Sequence, residues 1–397
     1  MKERLKTLVI DSNGAGWKYV LVDTMLRGVL HLRADESILP APIRHHLLAR
    51  RLLGERYEHL SYVFDWREAL CAAPELDVEV CTNINNFVEY RRWREAIASY
   101  PLIIVLHSAA GDSLSLLLRT SHWFQRRRGK LVVFIGNEYD LMVEKFDFLR
   151  ATGADFACSQ LPIEAARWLY AQCRSTRILE MPHALNPKIY YPDPRARRSL
   201  DIGFSGDIYY YFVGDIERTA LIQFFQQHSA EFGLVTELRL NRRMPRVEWA
   251  RFLNRCKGTI GAESGSYYLD RHGQIIRRAK AYLKRHPRAT FEQIFERFFR
   301  SPQIGYVSGK SISSRHFEPI GTKTCQVLLD GHYNGILRPD EHYIRVKKDL
   351  SNMDEAIRRF KDEAYRTAMV ERTYENVMDE HTYQHRVQSL IRTVLGK

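Results

Sequence analysis

Short, nearly continuous apolar runs recur through the first half of the chain, each followed by small or polar residues. They are "KTLVIDSNGAG" (6–16), "YPLIIVLHSAAGD" (100–112), "GKLVVFIGNEYD" (129–140), "GADFACSQ" (153–160) and "TRILEMPHALNP" (176–187). Between them lie helical patterns such as "DSLSLLLRTSHWFQRR" (112–127) and "LPIEAARWLYAQC" (161–173). Apolar strands alternating with amphipathic helices predict a parallel sheet covered on both faces. Residues 31–95 read as helices with one strand near "SYVFDW" (61–66). Then "NPKIYYPDPRARRSLD" (186–201) brings three prolines and little apolar periodicity, which predicts a linker. A second strand–helix series follows. It begins with strand and turn at "LDIGFSGDIY" (200–209), and further strands are expected at "VTELRL" (235–240), "KGTIGAES" (257–264), "QIGYV" (303–307), "CQVLL" (325–329) and "HYIRV" (342–346). Helices are expected at "ERTALIQFFQQHSAEF" (217–232), "RVEWARFLNRC" (246–256) and "MDEAIRRFKDEAYRTAMVERTYENVMDE" (353–380), with a basic helical insertion over 271–302. The pattern gives an α/β protein of two similar domains facing across a cleft, where ligands of such sheets bind.

Composition changes this picture in two ways. At 45 % hydrophobic and 27 % charged residues over 397 positions, the chain is an ordinary globular protein able to build large cores. The net charge of +13 favours anionic partners such as phosphorylated small molecules, nucleic acid or acidic lipid. Basic clusters occur at 44–56, 123–130 and 277–288, each of which taken singly reads first as a solvated helix face; Trp, Phe and Leu mixed with Arg over 118–130 leave room for docking on an acidic membrane. The six cysteines are scattered without metal spacing, so they read as reduced thiols and no zinc site is expected. The start lacks a signal-peptide pattern and no run approaches the roughly 18 apolar residues of a membrane span. The expected location is cytoplasmic, with peripheral contact at the inner face of the membrane as a candidate.

The stretch "SGKSISSRHFEPIGTKTCQVLLDG" (308–331) concentrates the chemistry. It reads as loop, short helix, turn and strand. Glu318 falls at the start of the helix, with Phe317 and Ile320 pointing inward. A carboxylate at the cleft mouth can accept two hydrogen bonds from a vicinal diol such as a ribose. Backbone N–H groups near Gly321 and Thr322, with Lys323 and Arg315, could meet phosphate oxygens. The arrangement suits a nucleotide sugar. The plainer alternative is that Glu318 caps a helix or pairs with Arg315.

"RHFEPIGTKTCQVLLDGHYNGILRPDEHYIRV" with "HTYQHRVQSLI", "DIGFSGDIYYYFVGDIERTALIQFF" and "EMPHALNPKIYYPD" resembles CgeB-like glycosyltransferases, relatives of the group 1 enzymes with the GT-B fold. The resemblance spans roughly the second half of the chain. It implies an acceptor domain over 1–190 and a donor domain over 191–370, both Rossmann-like, with a C-terminal helix over 371–397 crossing back onto the first. It also implies that Glu318 holds the donor ribose, that Gly206 lets backbone approach the diphosphate, that Arg218 supplies a basic group there, and that the strand end carrying Glu263 lies near the nucleoside. His183 matches a linker position. Many retaining relatives carry a further acidic residue seven or eight positions before the ribose ligand; Ser311 and Lys310 stand there instead.

No D-x-D occurs, so the expectation is a metal-free reaction without cofactor, in which cations and helix N-termini stabilise the departing diphosphate. Candidate groups on the acceptor side are His107, Asp112 and Glu138 at strand ends, with Asp11 a further option. The acceptor would be a glycan, a lipid-linked intermediate or a protein, in cell-surface polysaccharide synthesis. The alternatives are a non-catalytic GT-B-fold protein binding a glycan or a partner and, third, a nucleic-acid binder, which only the charge supports and for which no module is present.

Overall fold

The computed structural model describes residues 4–11, 61–81, 90–111, 114–208, 210–300 and 306–396. Its first part holds strands β1 (Leu5–Ile10), β2 (Leu76–Cys81), β3 (Leu102–Val105), β4 (Lys130–Phe134), β5 (Phe156–Ser159) and β6 (Arg177–Glu180). Helices α1 (Ser61–Cys71), α2 (Tyr90–Ser99), α3 (His107–Ala110), α4 (Leu114–Arg119), α5 (Ser121–Phe124), α6 (Met142–Thr152) and α7 (Ile163–Leu169) connect them. The second part holds β7 (Leu200–Gly206), β8 (Thr236–Leu240), β9 (Cys256–Gly261), β10 (Cys325–Leu329) and β11 (Ile344–Val346). With them come α8 (Glu217–His228), α9 (Arg246–Asn254), α10 (Ile275–Arg285), α11 (Phe291–Phe298), α12 (Ser314–Gly321), α13 (Met353–Lys361), α14 (Glu363–Glu380) and α15 (Tyr383–Leu395).

Both sheets are parallel and share one logic of strand order. The first runs β2-β1-β3-β4-β5-β6 and the second β11-β10-β9-β7-β8. In each, the first strand lies between its two successors, so the crossovers part on either side of it. Ligand crevices form at such points, beyond the carboxyl ends of the strands. Here those ends are Ile10 with Val105, and Gly206 with Gly261.

The apolar runs are explained by burial on both faces. Leu8, Ile103, Val105, Leu131 and Val133 pack in one core, while their neighbours Val9, Ile104, Val132 and Phe134 pack in another. The second sheet divides likewise between two cores: Ile202, Ile260 and Val327 lie in one, Leu200 and Leu328 in the other. α15 returns to the first sheet, where Tyr383, Val387, Leu390, Ile391 and Val394 are buried beside Trp66 and Phe134.

Three expectations change. "SYVFDW" begins helix α1 rather than a strand. Tyr306 and Val307 lie outside any strand, and the remainder of "QIGYV" falls outside the described residues. Trp123 and Phe124 are buried in the first core, so the 118–130 segment does not offer them to a membrane. Among the described residues, no helix is long and apolar enough to cross a membrane.

Candidate active site

β7 ends at Gly206, and helix α12 begins beside it. Arg315, in the first turn of α12, donates to the Ser205 carbonyl. Its guanidinium lies 3.9 Å from the Trp249 ring centroid and 3.6 Å from a Glu318 oxygen. A Cβ built on Gly206 would stand 3.7 Å from Arg315 Nη2, so the glycine and the guanidinium are neighbours. Arg218 donates to the Asp207 carbonyl at 2.7 Å, and Arg243 pairs with the Asp207 carboxylate at 2.6 Å. Burial lowers the Arg315 pKa, Glu318 opposes this, and Arg243 and Arg218 add to the lowering. Three guanidinium groups thus converge on the carboxyl end of β7, where an incoming anion would relieve their mutual repulsion.

His316 fastens the start of α12. One ring nitrogen lies 3.0 Å from the Ser313 N–H and the other 3.1 Å from the Ala262 carbonyl. Burial pushes its pKa down to about 4, so it is neutral near pH 7. Glu263 is buried too, and accepts from the Tyr333 N–H at 2.7 Å, which orders the loop after β10. Lys310, where many relatives would carry an acid, forms a buried pair with Asp215.

Glu318 sits in the middle of α12, not at its start, and is only 3 % exposed. One oxygen accepts from the Ser61 hydroxyl of α1, and the other from the Trp249 indole N–H at 2.7 Å. The carboxylate therefore joins the two domains. One turn further along α1, Asp65 accepts from Asn186 at 2.7 Å and from Arg246 at 2.9 Å. Glu68 also receives Arg246, and accepts from Asn186 at 3.1 Å. Burial pushes the Asp65 pKa up to about 7; Asn186 and Arg246 restrain the rise, and Glu318 and Glu68 add to it.

Across the interface, His107 follows β3. It lies among Tyr62, Trp66, Phe134 and His183, and its Nε2 has no hydrogen-bond partner among the described residues. Burial, with His183 adding, holds its pKa well below the usual value, so it is a neutral base of low proton affinity. His183 accepts the Trp66 indole N–H at 3.2 Å, and burial takes its pKa to about 3. Asp11 is held by Ser108 and by Arg67 at 3.1 Å. Glu138 accepts from Ser159 at 2.7 Å, Tyr170 at 2.6 Å and the Gln160 N–H at 2.8 Å. Three donors occupy its carboxylate, which suits holding a loop better than taking a proton. Asp112 lies outside the described residues.

The structure brings Gly206, Arg218, Arg315 and Glu318 together and separates them from Gly321, Thr322 and Lys323. α12 runs into parallel strand β10, so its C-terminal end lies at the opposite sheet edge from Gly206. There Arg198 holds the Thr322 and Cys256 carbonyls, and Lys323 pairs with Glu371. The expectation that these three residues face phosphate alongside Arg315 is corrected by that separation. The sequence reading missed Ser61, Asp65, Arg243, Arg246 and Trp249. The one available signal was "RVEW", where Arg246 and Trp249 stand three apart on one helix face.

Residues 218–392 match the family model described as glycosyl transferase-like. Among solved structures, Anabaena HepE in complex with UDP-glucose is similar, at 10 % identity and a TM-score of 0.51, over 99 % of this chain and 100 % of that one. The same protein in complex with UDP and glucose gives 9 % and 0.50 over the same shares, 99 % and 100 %. Sucrose-phosphate synthase from Thermosynechococcus elongatus gives 13 % and 0.49, again over 99 % and 100 %. No curated protein sequence matches. The HepE likenesses establish the fold: two Rossmann-like domains in the GT-B arrangement.

Proposed function

We propose that the chain is a glycosyltransferase, of the CgeB-like kind, that moves a sugar from a nucleotide-sugar donor to a glycan, lipid-linked or protein acceptor in surface polysaccharide synthesis. One observation carries this reading: Arg218, Arg243 and Arg315 converge at the strand crossover, inside or beside the segment that matches the glycosyl transferase-like family. Glycosyl transfer leaves negative charge on the departing diphosphate. Preorganised cations there lower the barrier directly and need no metal for that role. Glu318 would take the ribose diol in place of the Ser61 hydroxyl, so donor binding would loosen one contact between the domains. His107 is the candidate acceptor-side base.

Because HepE was solved with UDP and UDP-glucose, uridine nucleotides are the first probes. UDP at about 100 times its dissociation constant should stabilise the folded chain by roughly 2.7 kcal/mol. Glu318→Gln should weaken that binding roughly tenfold to a hundredfold, the value of a charge-assisted hydrogen bond, with the fold retained. Unchanged affinity would remove Glu318 from the donor site. Transfer, or slow donor hydrolysis, should persist in EDTA; loss of activity restored by Mn²⁺ would refute the metal-independent route.

A second reading, a non-catalytic binding protein, draws on the closure of both Glu318 oxygens by Ser61 and Trp249. It predicts nucleotide binding without release of UDP from any UDP-sugar.

A further inference from the structure

Helices α10 and α11 form the basic insertion. Residues 271–300 contain nine Lys and Arg against two Glu. The pair is held by a small core of Ile276, Ala279, Ile294 and Phe299, and it reaches the first domain through Lys280 with Asp140 and through Arg271 stacked 4.1 Å over Trp168. The buried face of α10 is thus fully used. Its opposite face carries Arg277, Arg278, Lys284 and Arg285, all exposed, and Arg288 continues past its end. At 3.6 residues per turn these positions share one side of the helix. None of the five has an acidic partner among the described residues, whereas Lys280 and Arg300 each have one. Beside this pair stand Tyr210 and Tyr211, 63 % and 41 % exposed, with the Tyr211 ring 5.9 Å from Phe291.

We propose that this face is a docking surface for an anionic phospholipid membrane. Unpaired cations repel one another in the free protein, so a surface of opposite charge removes a cost as well as adding attraction. A basic stripe along an exposed helix face can meet a flat layer of headgroups along its length. A soluble polymer would be better gripped by a groove. Exposed tyrosines are the side chains that settle at the headgroup level, with an apolar ring and a polar tip. Each Lys or Arg near an anionic leaflet contributes about 1 kcal/mol, so five suffice for reversible attachment without any spanning helix. The site lies apart from the arginines at β7 and stands whether or not the chain transfers sugar.

The test is co-sedimentation of the full chain with phosphatidylcholine vesicles, pure or with about one third phosphatidylglycerol. The expected result is binding to the anionic vesicles only, lost in about 1 M salt, where the screening length falls to about 3 Å. Arg277→Glu/Arg278→Glu/Arg285→Glu should reduce partitioning roughly tenfold or more. These side chains are exposed, and an unchanged melting curve would confirm the fold. Arg126→Glu/Arg128→Glu, on the other basic run, should leave partitioning nearly unchanged. The proposal fails if pure phosphatidylcholine binds equally, if only the 126/128 variant loses binding, or if the chain ignores vesicles and retains on an immobilised acidic polysaccharide or RNA instead.

Discussion

Asp65 is a carboxyl group whose environment favours the neutral form. Its ordinary pKa is 3.8 and burial takes it to about 7. Between those values the folded chain holds a proton that the unfolded chain has released. Stability from this group is therefore complete below about pH 4 and is lost as pH rises through about 7. Buried His183, with its pKa near 3, has the opposite sign: its contribution is present at neutral pH and is lost as pH falls from 6.5 towards 3. The two slopes overlap, so a difference measurement is needed. Asp65→Asn keeps an oxygen that can accept from Asn186 and Arg246 and removes the ionisation. The variant should melt close to the parent at pH 4.5 and above it at pH 8, by a few °C for roughly each 1–2 kcal/mol recovered. Melting curves at both pH values decide it; a gap that does not change with pH would mean that Asp65 does not carry the proton.

At the scale of elements, α12 illustrates what could be read and what could not. Its inward side chains, Phe317 and Ile320, follow from spacing and are both buried. The central strands of both sheets are legible because burial on two faces forces unbroken apolar runs. β2 was not read, although Leu76, Val78 and Val80 alternate with charged Asp77 and Glu79, the pattern of an edge strand. α1 looked like a strand because Tyr, Val, Phe and Trp favour strands. Its contacts override that propensity: Ser61, Asp65 and Trp66 meet partners far away in sequence, Ser61 being 257 positions from Glu318. No local spacing reports such a pairing. Gly321 shows the same limit. It stands three residues from Glu318, yet a Cβ on it would come within 2.5 Å of the Tyr190 carbonyl and 2.6 Å of Leu185. Its role is close packing of α12 on the linker. Gly321→Ala should therefore cost about 1–3 kcal/mol, the range for overpacking a filled interior, with nucleotide affinity retained. Denaturant titration and a UDP binding isotherm measure the two effects separately. Lost affinity at unchanged stability would return Gly321 to the phosphate site.

At the scale of the whole molecule, the chain is tied together at its end. α14 belongs to the second domain: Val377 lies in the core that contains Phe317 and Trp249, and Glu371 pairs with Lys323. After His381 the chain changes domain. Leu185 and Thr382 form a bridge, and α15 then supplies a wall of the first domain's core. The first sheet thus depends on a helix more than two hundred positions later, while among the described residues α15 adds none to the cores of the second sheet. This asymmetry predicts an order of loss. Leu390 is buried against the first sheet, and Leu390→Ala should cost about 2–5 kcal/mol, as large-to-small core changes do. Hydrogen exchange in mild denaturant should show β3, β4 and β5 losing protection first, with β7, β9 and β10 still protected. The contacts of Ser61 with Glu318 and of Arg246 with Asp65 and Glu68 oppose that order, because they couple the domains. Ser61–Glu318 is a buried hydrogen bond and Asp65 is buried against Arg246, so the cost of desolvating these groups offsets much of their attraction, and the core term should dominate. Equal and simultaneous loss of protection in both sheets would show the reverse: that the polar clasp around Glu318 makes the two domains one cooperative unit, and that donor binding, which the proposed exchange of Ser61 for a ribose would bring into that clasp, must act on the stability of the entire chain.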